Sequence, residues 1–147
     1  MENLKRLNLR DLSDLNVDFS MVTANDGLKR ILIIKCSGTY RIGSAGDGDA
    51  LYMLAMGRAA LAAWSPSGVI LDWSELDYQW GDLLEMVLDV GVDQYLNAPF
   101  PRAVIVGDKC EEAFKTLILG FNGEDSIEKL GYVFRDIESG VNYIASY

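Results

Sequence analysis

Histidine is absent from this 147-residue chain. Without it, Ser-His-Asp and Cys-His nucleophile systems cannot be built, and histidine-ligated zinc is excluded. Cysteine is nearly absent too: Cys36 and Cys110 lie too far apart in sequence to suggest a disulfide framework. Two thiols alone are a thin basis for a structural metal site. Positive charge is scarce. Lys and Arg number 13 against 22 Asp and Glu, so the net charge is -9 and the isoelectric point is near 4.4. This balance argues against nucleic acid, whose phosphates are held by clustered bases, and against anionic membrane surfaces. It favours a basic protein as partner. No uncharged run can span a bilayer, because the apolar stretch from Ala50 to Trp64 is short and contains Arg58. Met1 to Leu12 alternates charged and apolar residues and has no apolar h-region. The expected compartment is a reducing cytoplasm.

Half of the residues are hydrophobic, enough for one domain of this size to bury a core without staples. No repeat or Pro/Ser-rich linker divides residues 1–147, and residues 1–15 read as an arm or a short helix. Val17 to Thr23 alternates with a strand period, and Asn25-Asp26-Gly27 is a tight-turn signal. Leu28 to Gly38 is the second strand of that hairpin. A Gly-rich loop, Gly43 to Gly48, precedes a helix from Asp49 to Trp64, which Pro66-Ser67-Gly68 stops. Strands follow at Val69–Trp73, Ala103–Val106 and Tyr132–Phe134. Helices follow at Gly81–Tyr95, Glu111–Leu119 and Ile137–Ile144, with Asn97-Ala98-Pro99 ending the first of these three. The order β-β-α-β-α-β-α-β-α predicts an α/β fold: a mixed sheet with an N-terminal β-hairpin, then alternating α and β, with flanking helices.

This order resembles the STAS domain, the fold of anti-sigma factor antagonists, of sulfate-transporter tails and of small bacterial proteins outside signalling. Three segments carry the likeness: Gly68-Val69-Ile70-Leu71-Asp72-Trp73-Ser74, Ala103-Val104-Ile105-Val106-Gly107, and Val133-Phe134-Arg135-Asp136 running into a terminal helix. The resemblance implies a partner-binding surface around the turn after the third strand. Family members under kinase control carry a phosphorylatable Ser or Thr where that turn opens the second helix. Here the turn reads Asp77-Tyr78-Gln79-Trp80-Gly81-Asp82, with Tyr78 as its sole hydroxyl, and Ser74 lies too early.

The negative charge is concentrated. Between Cys36 and Phe100 stand Asp47, Asp49, Asp72, Glu75, Asp77, Asp82, Glu85, Asp89 and Asp93, against Arg41 and Arg58 alone. On a helix, Asp82, Glu85, Asp89 and Asp93 would form one stripe opposite Leu84, Val87, Leu88, Gly91 and Tyr95. Like charges at that spacing oppose the helix, so local stability does not explain the stripe. It is a solvated face, a docking face for a basic partner, or both. Trp73, Tyr78 and Trp80 interleave with Asp72, Glu75, Asp77 and Asp82, an arrangement common at interface centres. Trp73 is expected in the core and Trp80 at the surface. The expected partner-binding set is therefore Asp72, Glu75, Asp77, Tyr78, Trp80, Asp82, Glu85, Asp89 and Asp93.

The first helix is apolar along two stripes, Leu51-Leu54-Ala55-Ala62 and Met53-Met56-Gly57-Ala60-Trp64. That surplus is buried under neighbouring helices or used in a homodimer. The Gly43–Gly48 loop lacks both the P-loop ending and the dinucleotide spacing, and Asp47 and Asp49 read as helix caps. Cys110, at a helix start, would have its thiolate favoured by the dipole or be a small semi-buried residue; Cys36 reads as core. These residues predict a non-catalytic protein-binding module without a cofactor or metal. It would act as a toxin-neutralising immunity-type protein or a STAS-like regulator. The alternative is a small-molecule, nucleotide or metal sensor, built on the Gly43–Gly48 loop or the carboxylates near Asp72.

Overall fold

Asn25, Asp26 and Gly27 all take left-handed backbone conformations, with φ of 54°, 56° and 89°. Asn and Asp tolerate this region and Gly occupies it freely, so the chain reverses here. In the computed structural model, which describes residues 3–92, 94–95, 100–120 and 125–147, this turn joins β1 (Asn16–Ala24) to β2 (Lys29–Thr39). The two pair antiparallel without interruption from Asn16↔Ser37 to Ala24↔Lys29. A 3-10 turn at Gly43–Gly46 leads into α1 (Asp47–Trp64), then β3 (Gly68–Asp77). β4 (Arg102–Val106), α2 (Glu111–Leu119), β5 (Val133–Phe134) and α3 (Ile137–Ala145) complete the chain. The sheet order is β1-β2-β3-β4-β5, with β2 to β5 parallel.

Alternation divides the sheet into two faces. Leu32, Ile34, Leu71, Trp73, Val104 and Val106 point to one side, beneath α1 and α2, with Met53, Leu61 and Phe114. Ile31, Ile33, Ile70, Ala103 and Ile105 point to the other, beneath α3 and its Ile144. Trp73 is fully buried, edge-on to Phe114 with ring centroids 5.8 Å apart. Cys36 lies in the core as expected. At the sheet's far end, Arg135 binds both carboxylate oxygens of Glu111 at 2.8 and 3.0 Å, and also pairs with Glu128. This clasp fixes the start of α2 to the end of β5.

β3 runs four residues beyond the sequence-predicted Trp73. Its register against β2 shifts between Lys35↔Asp72 and Ser37↔Glu75. This bulge moves the core-facing series from Leu71 and Trp73 to Leu76 and Tyr78. Strict alternation is lost at Ser74, which is why the strand seemed to stop there. The Asp72 side chain braces the irregularity, accepting hydrogen bonds from the Ser74 N–H at 3.0 Å and hydroxyl at 2.6 Å.

The helix expected over Gly81–Tyr95 is instead a 3-10 helix over Asp82–Asp89. Its start has no side-chain cap and its last turn no base, while Asp82, Glu85 and Asp89 repel one another. Asp93 and Asn97-Ala98-Pro99 lie outside the described residues. The N-terminal segment is an arm carrying one 3-10 turn, Leu9–Asp11. Asp49, fully buried, anchors that arm rather than capping α1. It accepts from the Ser13 hydroxyl, from the Arg41 backbone N–H at 2.8 Å, and from Arg41 Nε at 3.0 Å. The sequence reading missed this role because Ser13 is 36 residues away.

Candidate functional site: an acidic groove at the sheet's carboxyl edge

In a parallel sheet the loops at the carboxyl ends of the strands form the natural crevice. Here the turn after β3 and the turn after β4 flank a groove of about 840 Å³, with the exposed side of α2 as its third wall. Asp77, Gln79, Trp80 and Asp82 come from the first turn. Asp108 and Lys109 come from the second, and Glu112, Thr116 and Leu117 from α2. Four of these nine residues carry carboxylates and one an ammonium, so the groove is negative.

Several contacts hold the turn in shape. The Tyr78 N–H donates to the Lys109 carbonyl at 3.0 Å, tying the two turns together. The Gly43 N–H donates to the Trp80 carbonyl at 3.1 Å. The Trp80 indole covers Gly43 so closely that a Cβ there would lie 2.4 Å from Cζ3. Gly81 has φ 149°, a conformation that side chains disfavour. Gly43, at the start of the 3-10 turn that replaces the expected loop, thus serves as the seat of Trp80, and Trp80 remains 57% exposed above it.

Of the sequence-predicted set, Asp77, Tyr78, Trp80 and Asp82 line the groove, and Glu85 and Asp89 continue from Asp82 along an exposed acidic ridge. Glu75 is exposed but set apart, paired with Lys35 at 2.6 Å. Two members lie inside. Asp72 is buried at the bulge, where its carboxylate serves Ser74. Tyr78 is 2% exposed, edge-on to Tyr40 at 5.1 Å, and its hydroxyl donates to the Gly81 carbonyl at 2.8 Å. Burial raises its pKa far above the usual tyrosine value. The bulge explains this burial: it turns Tyr78 to the core face that unbroken alternation would have turned it away from. The Asp72 carboxylate shapes the turn from behind, and the Tyr78 side chain, though buried, forms part of the groove's wall.

The sequence reading missed Asp108, Lys109, Glu112, Thr116 and Leu117, because fold closure alone brings the β4 turn and α2 beside the β3 turn. On α2 the structure buries Phe114 and leaves Ala113 and Leu117 half-covered. Cys110, at the start of α2, is buried, and desolvation pushes its thiol up to about 12. Burial outweighs the helix dipole there. Among the described residues, no group of three or more Cys, Asp or Glu is placed to hold a metal ion. No helix among them is long and apolar enough to cross a membrane.

A crystal structure of an anti-sigma factor antagonist from Mycobacterium paratuberculosis matches this architecture with a TM-score of 0.56. The match covers 88% of this chain and 94% of that one, at 12% sequence identity. This chain has a STAS-like fold. No protein-family model matches the chain, and no curated protein does. Within the STAS-like fold the groove sits beside the turn that opens the second helical segment. There the sole hydroxyl, on Tyr78, is buried and engaged.

Proposed function

We propose that this chain is a non-catalytic protein-interaction module whose acidic groove receives a basic protein, in the manner of a STAS-like regulator that sequesters a signalling partner. The observation that carries this reading is the groove itself. An exposed tryptophan stands on a rigid Gly43 seat within a rim of Asp77, Asp82, Asp108 and Glu112. An aromatic anchor inside a ring of charge suits a protein surface, with the charge giving speed and selectivity of association. The negative charge at this turn is permanent. Asp82 begins the helical segment, and no free hydroxyl stands in the turn for a kinase to modify. Regulation would then come from the partner's availability and not from phosphorylation here. A cytoplasmic location goes with this reading.

The net charge of -9 favours a second version, an immunity-type protein covering the basic active surface of a toxin. Both versions share one test. The partner is captured on tagged protein at low salt, identified, and its binding then titrated. Asp82→Lys with Asp89→Lys should weaken binding by about tenfold or more and flatten its dependence on salt. Trp80→Ala should weaken binding without changing the salt dependence. Full affinity in both variants would remove the groove and its ridge from the interface. A flat response to protein partners, with a thermal shift on adding a nucleotide or Mg²⁺, would favour the sensor alternative.

A further inference from the structure

The sheet has two edges, and only one is guarded. β5 is two residues long, too short to template a foreign strand. β1 is nine residues long, pairs with β2 along its whole length without a bulge, and has no strand on its other side among the described residues. Natural edges are commonly protected by lysine, proline, bulges or shortness. β1 contains neither lysine nor proline, and its one charge is Asp18. On the α1 face, Val17, Phe19 and Met21 are only half-buried. Beside them Trp64, 45% exposed at the end of α1, leans on Phe19 with ring centroids 5.5 Å apart.

We propose that β1 pairs antiparallel with β1 of a second copy of this chain, joining two sheets into one in a symmetric dimer. The strand's own sequence selects that occupant. A two-fold axis at Ser20, the middle of Asn16–Ala24, uses the whole strand. It sets Phe19 opposite Met21 of the second copy, Asp18 opposite Val22, and Ser20 opposite itself. Apolar residues then meet on the α1 face, and no carboxylate meets a carboxylate. Moving the axis to Asp18 would place two like charges in direct opposition and shorten the ladder. The contact is isologous and closes, so it stops at two copies. It does not rest on the partner reading of the groove, because β1 lies two strands away from β3.

Ser20→Cys tests the pairing, because Ser20 is exposed while Cys36 and Cys110 are buried. Directly opposed strand residues have Cβ atoms about 5 Å apart, within reach of a disulfide after small adjustment. Mild oxidation should therefore give a covalent dimer of this variant. Asp18→Cys and Val22→Cys should cross-link when mixed and stay uncross-linked when each is oxidised alone. In sedimentation, the unmodified chain should dimerise with rising concentration. It should do so more readily in added salt, which screens the repulsion between two chains of charge -9. That sign is opposite to the one expected for a basic partner in the groove. Ser20→Lys should keep the circular dichroism of the folded chain and sediment as a monomer. An unmodified chain that stays at 16.3 kDa across the concentration range, with Ser20→Cys uncrosslinked, would overturn the pairing. Equal cross-linking at all three positions would overturn it too, as would a dimer indifferent to Ser20→Lys.

Discussion

Two tyrosines with rings packed edge to face differ in what their hydroxyls do. The Tyr78 hydroxyl has the Gly81 carbonyl, while the Tyr40 hydroxyl is buried with no hydrogen-bond partner among the described residues. A buried polar group without a partner costs stability, and a paired one is roughly neutral to favourable. Tyr40→Phe should accordingly be neutral or stabilise the chain by about 1 kcal/mol in urea unfolding. Tyr78→Phe should destabilise it by about 1 kcal/mol and loosen the turn at Gly81, seen as easier acrylamide quenching of Trp80. Equal losses in both variants would show that ring packing, and not hydrogen bonding, governs the pair. Trp73 in the core and Trp80 at the surface were both legible in the sequence, since one ends an apolar strand and the other sits in a polar turn. The inward direction of Tyr78 was not, because it depends on a one-residue bulge.

At the scale of elements, the segment after β3 is the weak point. Its hydrogen bonds follow the tighter 3-10 pattern, which has poorer geometry than the α-helix, and its carboxylates repel. α1, by contrast, is eighteen residues long and buries Met53, Leu54, Gly57 and Leu61 against the sheet and its neighbours. Amide exchange should therefore be markedly faster over residues 82–92 than over the buried turns of α1. Equal protection would mean that the 82–92 segment opens only with the whole domain. The acidic periodicity of this segment was plain in the sequence, and so was its burial of Leu84, Val87 and Leu88. Its helix type was not, because three-residue and four-residue spacings give the same exposed face over so short a stretch.

At the scale of the molecule, the pH response follows from buried acids that are neutral when protonated. Desolvation raises the Cys36 and Cys110 thiols from their ordinary value near 9 to about 12. It raises the Tyr40 and Tyr78 hydroxyls as well. The folded state holds these protons more tightly than the unfolded state. Their contribution is thus fully present below about pH 9 and falls as pH rises towards 12. Unfolding free energy measured from pH 8 to pH 11 should decline by a few kcal/mol, with a shallower decline in Cys36→Ala. A flat profile would mean that these thiols are already solvated in the folded chain.

Composition and periodicity by themselves determined much of this protein. The absence of histidine removed whole reaction classes, and the alternating elements specified an α/β sheet with an N-terminal hairpin. The charge pattern between Cys36 and Phe100 located the acidic region. These properties are local, or simply additive along the chain, and need no knowledge of distant neighbours. Only the tertiary structure decided which carboxylates act together. It buried Asp49 against Ser13 and Arg41, drew Asp72 into the bulge, and paired Glu75 with Lys35. It also brought Lys109 and the α2 surface beside Trp80 to make a groove from segments some thirty residues apart. The physical reason is the same in each case: a side chain's environment is set by what the sheet places next to it, and strand order and register are long-range properties.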